Sequence, residues 1–338
     1  MEELAKRRKR LFSGAPFSAA LFFNAGPGSS GSPSFHYFSG CRVDGSYLVL
    51  KRGGGLMLAH EMNYEAAKAV SHYPVKLLGK DAPEAIRAAC GKGKVGFSSV
   101  EMHAARYMAL KKKAKLKLVD AYYRIEAIRG KKTEKEVAAI AAAAKITRKL
   151  LDALDPWQCE SEEEVARLLK IVALEAGCEL SYEPIVASGR NSRFPHHTPG
   201  KAKLGSMVLV DFGVKKNSYC SDFTRCYFRK KGTKEMRTYL VCKRIFEKIV
   251  AKLPECRTGR DVALLSETLI EQHKLPKPIH SIGHGIGLEV HEYPHLGRKA
   301  NDRLEGVVLA IEPAAYFKTY GVRFEEMVAN TKKGWKRL

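Results

Sequence analysis

Asp211, Asp222, His284, Glu312 and Glu325 each interrupt or follow an apolar run in the C-terminal third of this chain and its approach. No other feature constrains the fold as much, because a core that takes in so many carboxylates must also neutralise them. Burying an unpaired carboxylate costs several kcal/mol on the order-of-magnitude scale of ion desolvation, and a cation removes that penalty. Four carboxylates and one imidazole are hard or borderline ligands. They suit a pair of divalent ions of the manganese, cobalt, iron or zinc type better than a thiolate-held structural zinc. Two such ions can share one water and deprotonate it.

The contexts of the five residues strengthen this reading. Asp211 ends the run Val208-Leu209-Val210, and Asp222 follows eleven residues later in Ser221-Asp222-Phe223-Thr224-Arg225. Two hairpin strands would bring both acids to one place. Taken alone, the two aspartates read equally as turn formers or salt-bridge partners. His284 lies in Gly283-His284-Gly285-Ile286-Gly287, where glycines let the backbone pass close to a site, and His291 stands seven residues on. Ile311-Glu312-Pro313 and Arg323-Phe324-Glu325-Glu326 place acids at the ends of two more strand candidates. Strand alternation points Glu326 away from the face that carries Glu325.

The alternation of short apolar strands with helices over the first ~120 residues predicts an α/β layered domain. Residues 46–50 and 56–59 read as a strand pair around Gly53-Gly54-Gly55, with helices over 82–90 and 100–110 and a strand over 94–97. The stretch 26–33 (Gly-Pro-Gly-Ser-Ser-Gly-Ser-Pro) reads as a plain loop, since no Gly-Lys-Ser/Thr follows it. A domain boundary is expected near residue 122, giving domains 1–121 and 122–338. The second contains helices over 133–154, 160–176, 234–252 and 259–273, and strands over 183–188, 206–214 and 219–229.

Composition narrows the function classes. The formal charge is +23, from 59 Lys and Arg against 36 Asp and Glu. The basic runs at 6–10, 111–113 and 131–132 are scattered along the chain and lack interleaved aromatics, so a solvated basic surface is expected rather than a nucleic-acid partner. Eight cysteines contain no C-x-x-C pair, and a chain of 338 residues needs no disulfide staples, so reduced thiols in a cytoplasm are expected. Neither a secretory signal nor a membrane span is expected, because Pro16, Ser18 and Asn24 break the stretch after a charged N-terminus.

At its acids and histidines the chain resembles the pita-bread metallopeptidases, family M24, which include methionine aminopeptidase, aminopeptidase P and prolidase. The resemblance runs in order through D-F-G, S-D-F-T-R, G-H-G-I-G-L-E-V-H-E-Y-P, I-E-P and V-R-F-E-E. Phe35-His36-Tyr37-Phe38-Ser39-Gly40 is similar to part of the family's N-terminal domain, and Arg129 to Val137 to its linker. It implies an α/β creatinase-type N-terminal domain followed by a pseudo-symmetric pita-bread (α+β) catalytic domain, often as a homodimer.

Carried over, the resemblance implies that Asp211, Asp222 and Glu325 bind one ion. Asp222, His284, Glu312 and Glu325 bind the other, most simply Mn2+ or Co2+, with Fe2+ or Zn2+ next. A metal-bridging hydroxide is then the nucleophile and Glu312 the carboxylate that takes and returns the proton. His291 resembles the group that supports the oxyanion, and His196 the one beside the scissile amide, with His197 its rival by one position. His280 and Arg323 match further pocket residues.

The N-terminal domain and the L-E-V-H-E-Y-P continuation are more similar to the proline-directed enzymes, implying cleavage of Xaa-Pro bonds by a dipeptidase, or by an aminopeptidase as runner-up. A dipeptidase needs a cation for its substrate's free carboxylate, and Arg298 in the basic loop 298–303 is the candidate, against the reading of an ordinary solvated charge. The alternatives are a methionine aminopeptidase-like enzyme, a metal-free creatinase-like amidinohydrolase, or a non-catalytic pita-bread protein that binds through its basic surface. Two residues depart from the family pattern: Ala314 stands where glycine is usual after Glu312-Pro313, and Val308 replaces a common methionine. Ala314 would disturb the backbone beside Glu312 if that position required a positive φ.

Overall fold

A computed structural model describes residues 2–25 and 31–338. The loop expected over 26–33 therefore falls largely outside the described residues. From Ser32 onward the side chain of that serine caps the helix Pro33–Ser39. The chain divides into two compact units, Met1–Arg129 and Gly130–Leu338.

The first unit is built on a six-stranded mixed sheet. Across it run Val75–Leu77, Gly54–Ala59, Ser46–Lys51, Ala19–Asn24, Lys94–Phe97 and Lys117–Asp120. Alternation along a strand sends neighbours to opposite layers. Leu21 joins Val49, Leu58, Ile86, Val95 and Leu110 in one cluster, while Phe22 stacks on Phe38 of the helix Pro33–Ser39 at 4.8 Å. The helix expected over 100–110 begins only at Ala104, because residues 99–102 form a turn in which the Met102 amide bonds back to Ser98.

The division at Arg129/Gly130 lies eight residues beyond the boundary expected at 121/122. The reason is the helix Tyr122–Gly130, whose Arg129 is fully buried in the first unit. Its guanidinium lies 3.0 Å from Glu126, 3.4 Å from Ser34 and 3.6 Å from Glu101. A charge so placed ties its helix to the unit that neutralises it.

The second unit carries two helix pairs, each over its own apolar cluster. Helices Glu134–Ala153 and Glu162–Glu175 pack with Val208, Val210 and Phe212. Helices Lys234–Lys252 and Gly259–Gln272 pack with Met207, Leu209, Leu309 and Val328. The strand Met207–Phe212 thus feeds both clusters by simple alternation. It sits between Ile185–Ser188 and Phe223–Phe228 in a three-stranded sheet. A five-stranded sheet orders Glu292–His295, Gly283–Gly285, Val308–Ile311, Glu326–Thr331 and Gly334–Arg337, and the hairpin Ala314–Tyr316 with Gly321–Arg323 lies apart.

The first long helix starts where the sequence signals it, at a Thr133/Glu136 capping box. Just before it, the buried Lys132 ammonium lies 2.7 Å from Glu292, which anchors the strand following His291. No described helix is long and apolar enough to cross a membrane. All eight cysteines are free thiols.

Candidate metal centre

Asp211 and Asp222 meet because the strand Met207–Phe212 pairs antiparallel with Phe223–Phe228, setting Asp211 opposite Thr224. Gly213 makes the approach feasible. A Cβ there would sit 1.9 Å from the Ser221 carbonyl oxygen, so only glycine lets the two segments pass this closely. The Tyr182 hydroxyl lies 2.5 Å from Oδ1 of both aspartates.

His284, on the strand Gly283–Gly285, directs its ring at the same spot. Its Nε2 is 3.5 Å from Asp222 Oδ2 and 3.9 Å from Glu325 Oε1. Its Nδ1 donates to the Gly285 carbonyl at 3.1 Å, which leaves Nε2 as the free electron pair. Burial, then the neighbouring His291, pushes this imidazole down to about 3, so it is neutral. Asp222, His284 and Glu325 offer donor atoms all within 4.8 Å of one another.

The remaining two acids line the same cavity. Glu312 follows the strand Val308–Ile311 and lies 3.5 Å from His280 Nδ1. Asp211 Oδ2 accepts from Arg323 Nη2 at 2.6 Å, and that guanidinium also reaches Thr224 at 2.9 Å and Tyr316 at 2.8 Å. Burial raises Asp222 and Glu312 well above the usual carboxylate range, helped by the charge of Glu325, and burial with the charge of Asp211 brings Glu325 to about 7. Three buried acids and the half-buried Glu312 thus face one arginine. Cations fit this donor set, since they would remove the mutual repulsion that the shifts record.

The cavity measures about 920 Å³. His196, His280 and His291 line it, along with the apolar side chains of Pro184, Ile185, Pro195 and Val290. The His291 ring stands 4.1 Å from that of His284. His197 also lines the cavity, but its Nε2 is engaged 2.7 Å from the fully buried Glu162. Glu162 also accepts from the Ser188 amide at 2.6 Å and from Asn191 at 3.0 Å, so His197 completes a structural network.

Arg298 is not brought to the cavity. Its exposed side chain lies 2.6 Å from Glu267 on the helix Gly259–Gln272, which has its own acid to offer that guanidinium. The cations that do line the cavity are Arg167, Lys170 and Arg323. Ala314 sits in an extended strand paired with Arg323, and it is not among the residues with positive φ, so alanine is accommodated beside Glu312. Val308 is buried in its strand among apolar neighbours. Tyr182, which holds both aspartates, carries no sequence signal, because its partners lie 29 and 40 residues away, and Thr224 stands in the S-D-F-T-R motif but its bond to Glu325, 101 residues on, does not show there.

A buried cluster of carboxylates and histidine at the wall of a cavity, carried on a pita-bread domain, defines a metallopeptidase. The model of metallopeptidase family M24 matches residues 111–332, and that of the creatinase/prolidase N-terminal domain matches residues 7–130. The chain belongs to metallopeptidase family M24. It is 31% identical over 320 residues to the Xaa-Pro dipeptidase of Pyrococcus horikoshii, covering 91% of this chain and 90% of that one. The crystal structure of the prolidase from the same organism superposes with a TM-score of 0.85 at 28% identity, over 99% and 97% of the two chains. The prolidase from Pyrococcus furiosus superposes with a TM-score of 0.80 at 26% identity, over 95% of each.

Proposed function

We propose that this protein hydrolyses the peptide bond between an N-terminal residue and proline, as an Xaa-Pro dipeptidase. The observation that carries the proposal is the convergence of Asp222, His284 and Glu325 donor atoms within 4.8 Å, with Asp211 and Glu312 lining the same cavity. The similarity to Xaa-Pro dipeptidases over nine-tenths of the chain supports the substrate class. Asp211, Asp222 and Glu325 would hold one ion, and Asp222, His284, Glu312 and Glu325 the other. Bound divalent cations supply a water acidic enough to lose its proton near neutral pH.

The chain's own groups do the rest. Glu312, held at the cavity by its backbone bond to Ile282 (2.8 Å), takes and returns the proton. His291 and His196 face the substrate, where their ring N–H groups donate to a developing oxyanion and to the scissile amide. Burial holds His291 below its ordinary value, in keeping with a neutral donor. Pro184, Ile185, Pro195 and Val290 form apolar wall for a proline ring, whose tertiary amide has no N–H to satisfy. Since Arg298 lies elsewhere, Arg167 takes its place as the cation for the dipeptide's carboxylate, with Arg323 and His280 fixing the acids and the inner wall. Mn2+ or Co2+, a homodimer and a cytoplasmic compartment belong to this reading on ligand chemistry, resemblance and thiol content respectively.

The deciding experiment assays metal-loaded protein in parallel on an Xaa-Pro dipeptide, an Xaa-Pro-Xaa tripeptide and a Met-Ala-initiated peptide. Turnover of the dipeptide alone is expected. Tripeptide turnover makes the protein an aminopeptidase, release of methionine makes it methionine aminopeptidase-like, and hydrolysis of none overturns the reading.

A further inference from the structure

Of the basic runs in the first unit, the one at 111–113 is joined by cations on strands once the sheet forms. Ala19, the first residue of its strand, pairs with Lys51 on one side and Val95 on the other. Lys94 in turn pairs with Lys117. Lys51, Lys94 and Lys117 therefore stand at one end of the sheet, where Lys94 and Lys117 share a face on neighbouring strands about 4.8 Å apart and Lys51, in register with Ala19 and Val95, stands two strands away on the other face. Arg52, Lys92 and Lys115 extend the same end just beyond the strands, and all six side chains are exposed.

The helix Ala104–Lys112 adds to this end. Its last turn carries Lys111 and Lys112, Lys113 caps it, and the Leu116 amide bonds back to Leu110, so the turn runs directly into the strand Lys117–Asp120. The three segments that build the sheet end, residues 45–60, 85–100 and 102–119, contain no Asp or Glu. Lysines in a last helical turn are ordinarily explained by the helix dipole. That accounts for Lys111 to Lys113 but not for the cations on strands. Lys115 moreover adopts φ 52°, a conformation that glycine or asparagine takes at lower cost.

We infer that this sheet end is a docking surface for the phosphate backbone of a duplex nucleic acid. Point charges held at one sheet end by strand pairing, with Lys94 and Lys117 side by side, complement the closely spaced phosphates of a duplex, whereas the mobile headgroups of a bilayer require no register. The aromatic side chains of these segments do not offer a stacking platform for unpaired bases. Tyr47 and Phe97 are buried, and Tyr107 packs against Phe97 at 5.5 Å. Single-strand binders depend on such platforms, and contacts confined to phosphates carry no base sequence.

The test is fluorescence anisotropy of the full chain on a short labelled DNA duplex, titrated from roughly 50 to 200 mM salt. With six lysines and arginines on phosphates, affinity should fall about a thousandfold over that range. Replacing Lys92, Lys94, Lys115 and Lys117 with glutamine should reduce the log–log salt slope by about 4. Replacing four exposed lysines of the second unit, Lys230, Lys231, Lys252 and Lys277, serves as the control for diffuse charge. Circular dichroism of both variants reports that they are folded. Equal weakening by the two sets, tighter binding to single strands than to the duplex, or lysine-dependent binding to phosphatidylserine vesicles without duplex binding would each overturn the inference.

Discussion

The Tyr182 hydroxyl lies 2.5 Å from Asp222 Oδ1 and bridges that carboxylate to Asp211 at the same distance. Burial, then the charges of Asp211, Asp222 and Glu325, pushes the phenol well above its ordinary value, so it stays protonated and donates. One hydroxyl within hydrogen-bond reach of both acids ties them together before any cation arrives. Tyr182→Phe should lower divalent-ion affinity by about 10- to 100-fold, the usual cost of losing a partner behind a ligand. Calorimetric titration of metal into both proteins checks this, and equal affinities would show that the strand pairing alone sets the site.

Asp222 and Glu325 share the centre with His284 and are the residues assigned to both ions. Asp222→Asn and Glu325→Gln should each reduce Xaa-Pro turnover by at least ~10²-fold, on the scale of removing one catalytic electrostatic contact. Each should also lower the bound-metal stoichiometry measured by atomic emission. Near-normal rates in either variant would sink the two-ion assignment.

His196 and His197 are neighbours with different work to do. His196→Ala should lower kcat by about 10²-fold, the range of positioned donors and general acids, and leave thermal stability unchanged. His197→Ala strips a partner from the buried Glu162, an expected loss of about 1–3 kcal/mol in unfolding free energy. Paired thermal melts and rate measurements separate the two, and the reverse pattern would exchange their roles.

Glu326 turns away from the centre into a set of guanidinium groups from Arg225, Arg337 and Arg148. Burial alone would raise its carboxyl, but the hydrogen bond from Arg337 and the charges of Arg225, Arg337 and Arg148 outweigh it and hold it below 4.5. A folded value below the unfolded one means that the carboxylate stabilises the fold above the unfolded value and loses that contribution as pH falls through the folded one. Glu326→Gln should therefore cost about 3 kcal/mol at neutral pH, the lower end for breaking a buried pair. Denaturant melts should show that difference holding steady down to roughly pH 5 and shrinking in more acid solution. A pH-independent difference would mean that packing, not charge, is what the substitution removes.

Much of the fold was legible where local chemistry decides it. The helices Ala82–Cys90 and Lys234–Lys252 have the bounds that their periodicity and caps imply, and the capping box at Thr133 starts its helix. The turn over 99–102 and the burial of Arg129 were not legible. The burial depends on Glu101 and Ser34, which only the folded layers bring close, whereas the turn rests on the local bond from Met102 to Ser98 that apolar spacing does not register.

By itself, the order of residues determined that acids and a histidine would stand at strand ends beside glycines, because hydrophobic alternation and glycine's small size are local properties. It also separated Glu325 from Glu326, since adjacent strand residues face opposite sides. Tertiary structure alone decided that Tyr182 clasps Asp211 and Asp222, that His197 serves Glu162, and that Arg298 pairs with Glu267 outside the cavity. It likewise gathered Lys51, Lys94 and Lys117 onto one sheet end. A side chain's partner is set by where distant strands and helices pack, and no local spacing carries that distance.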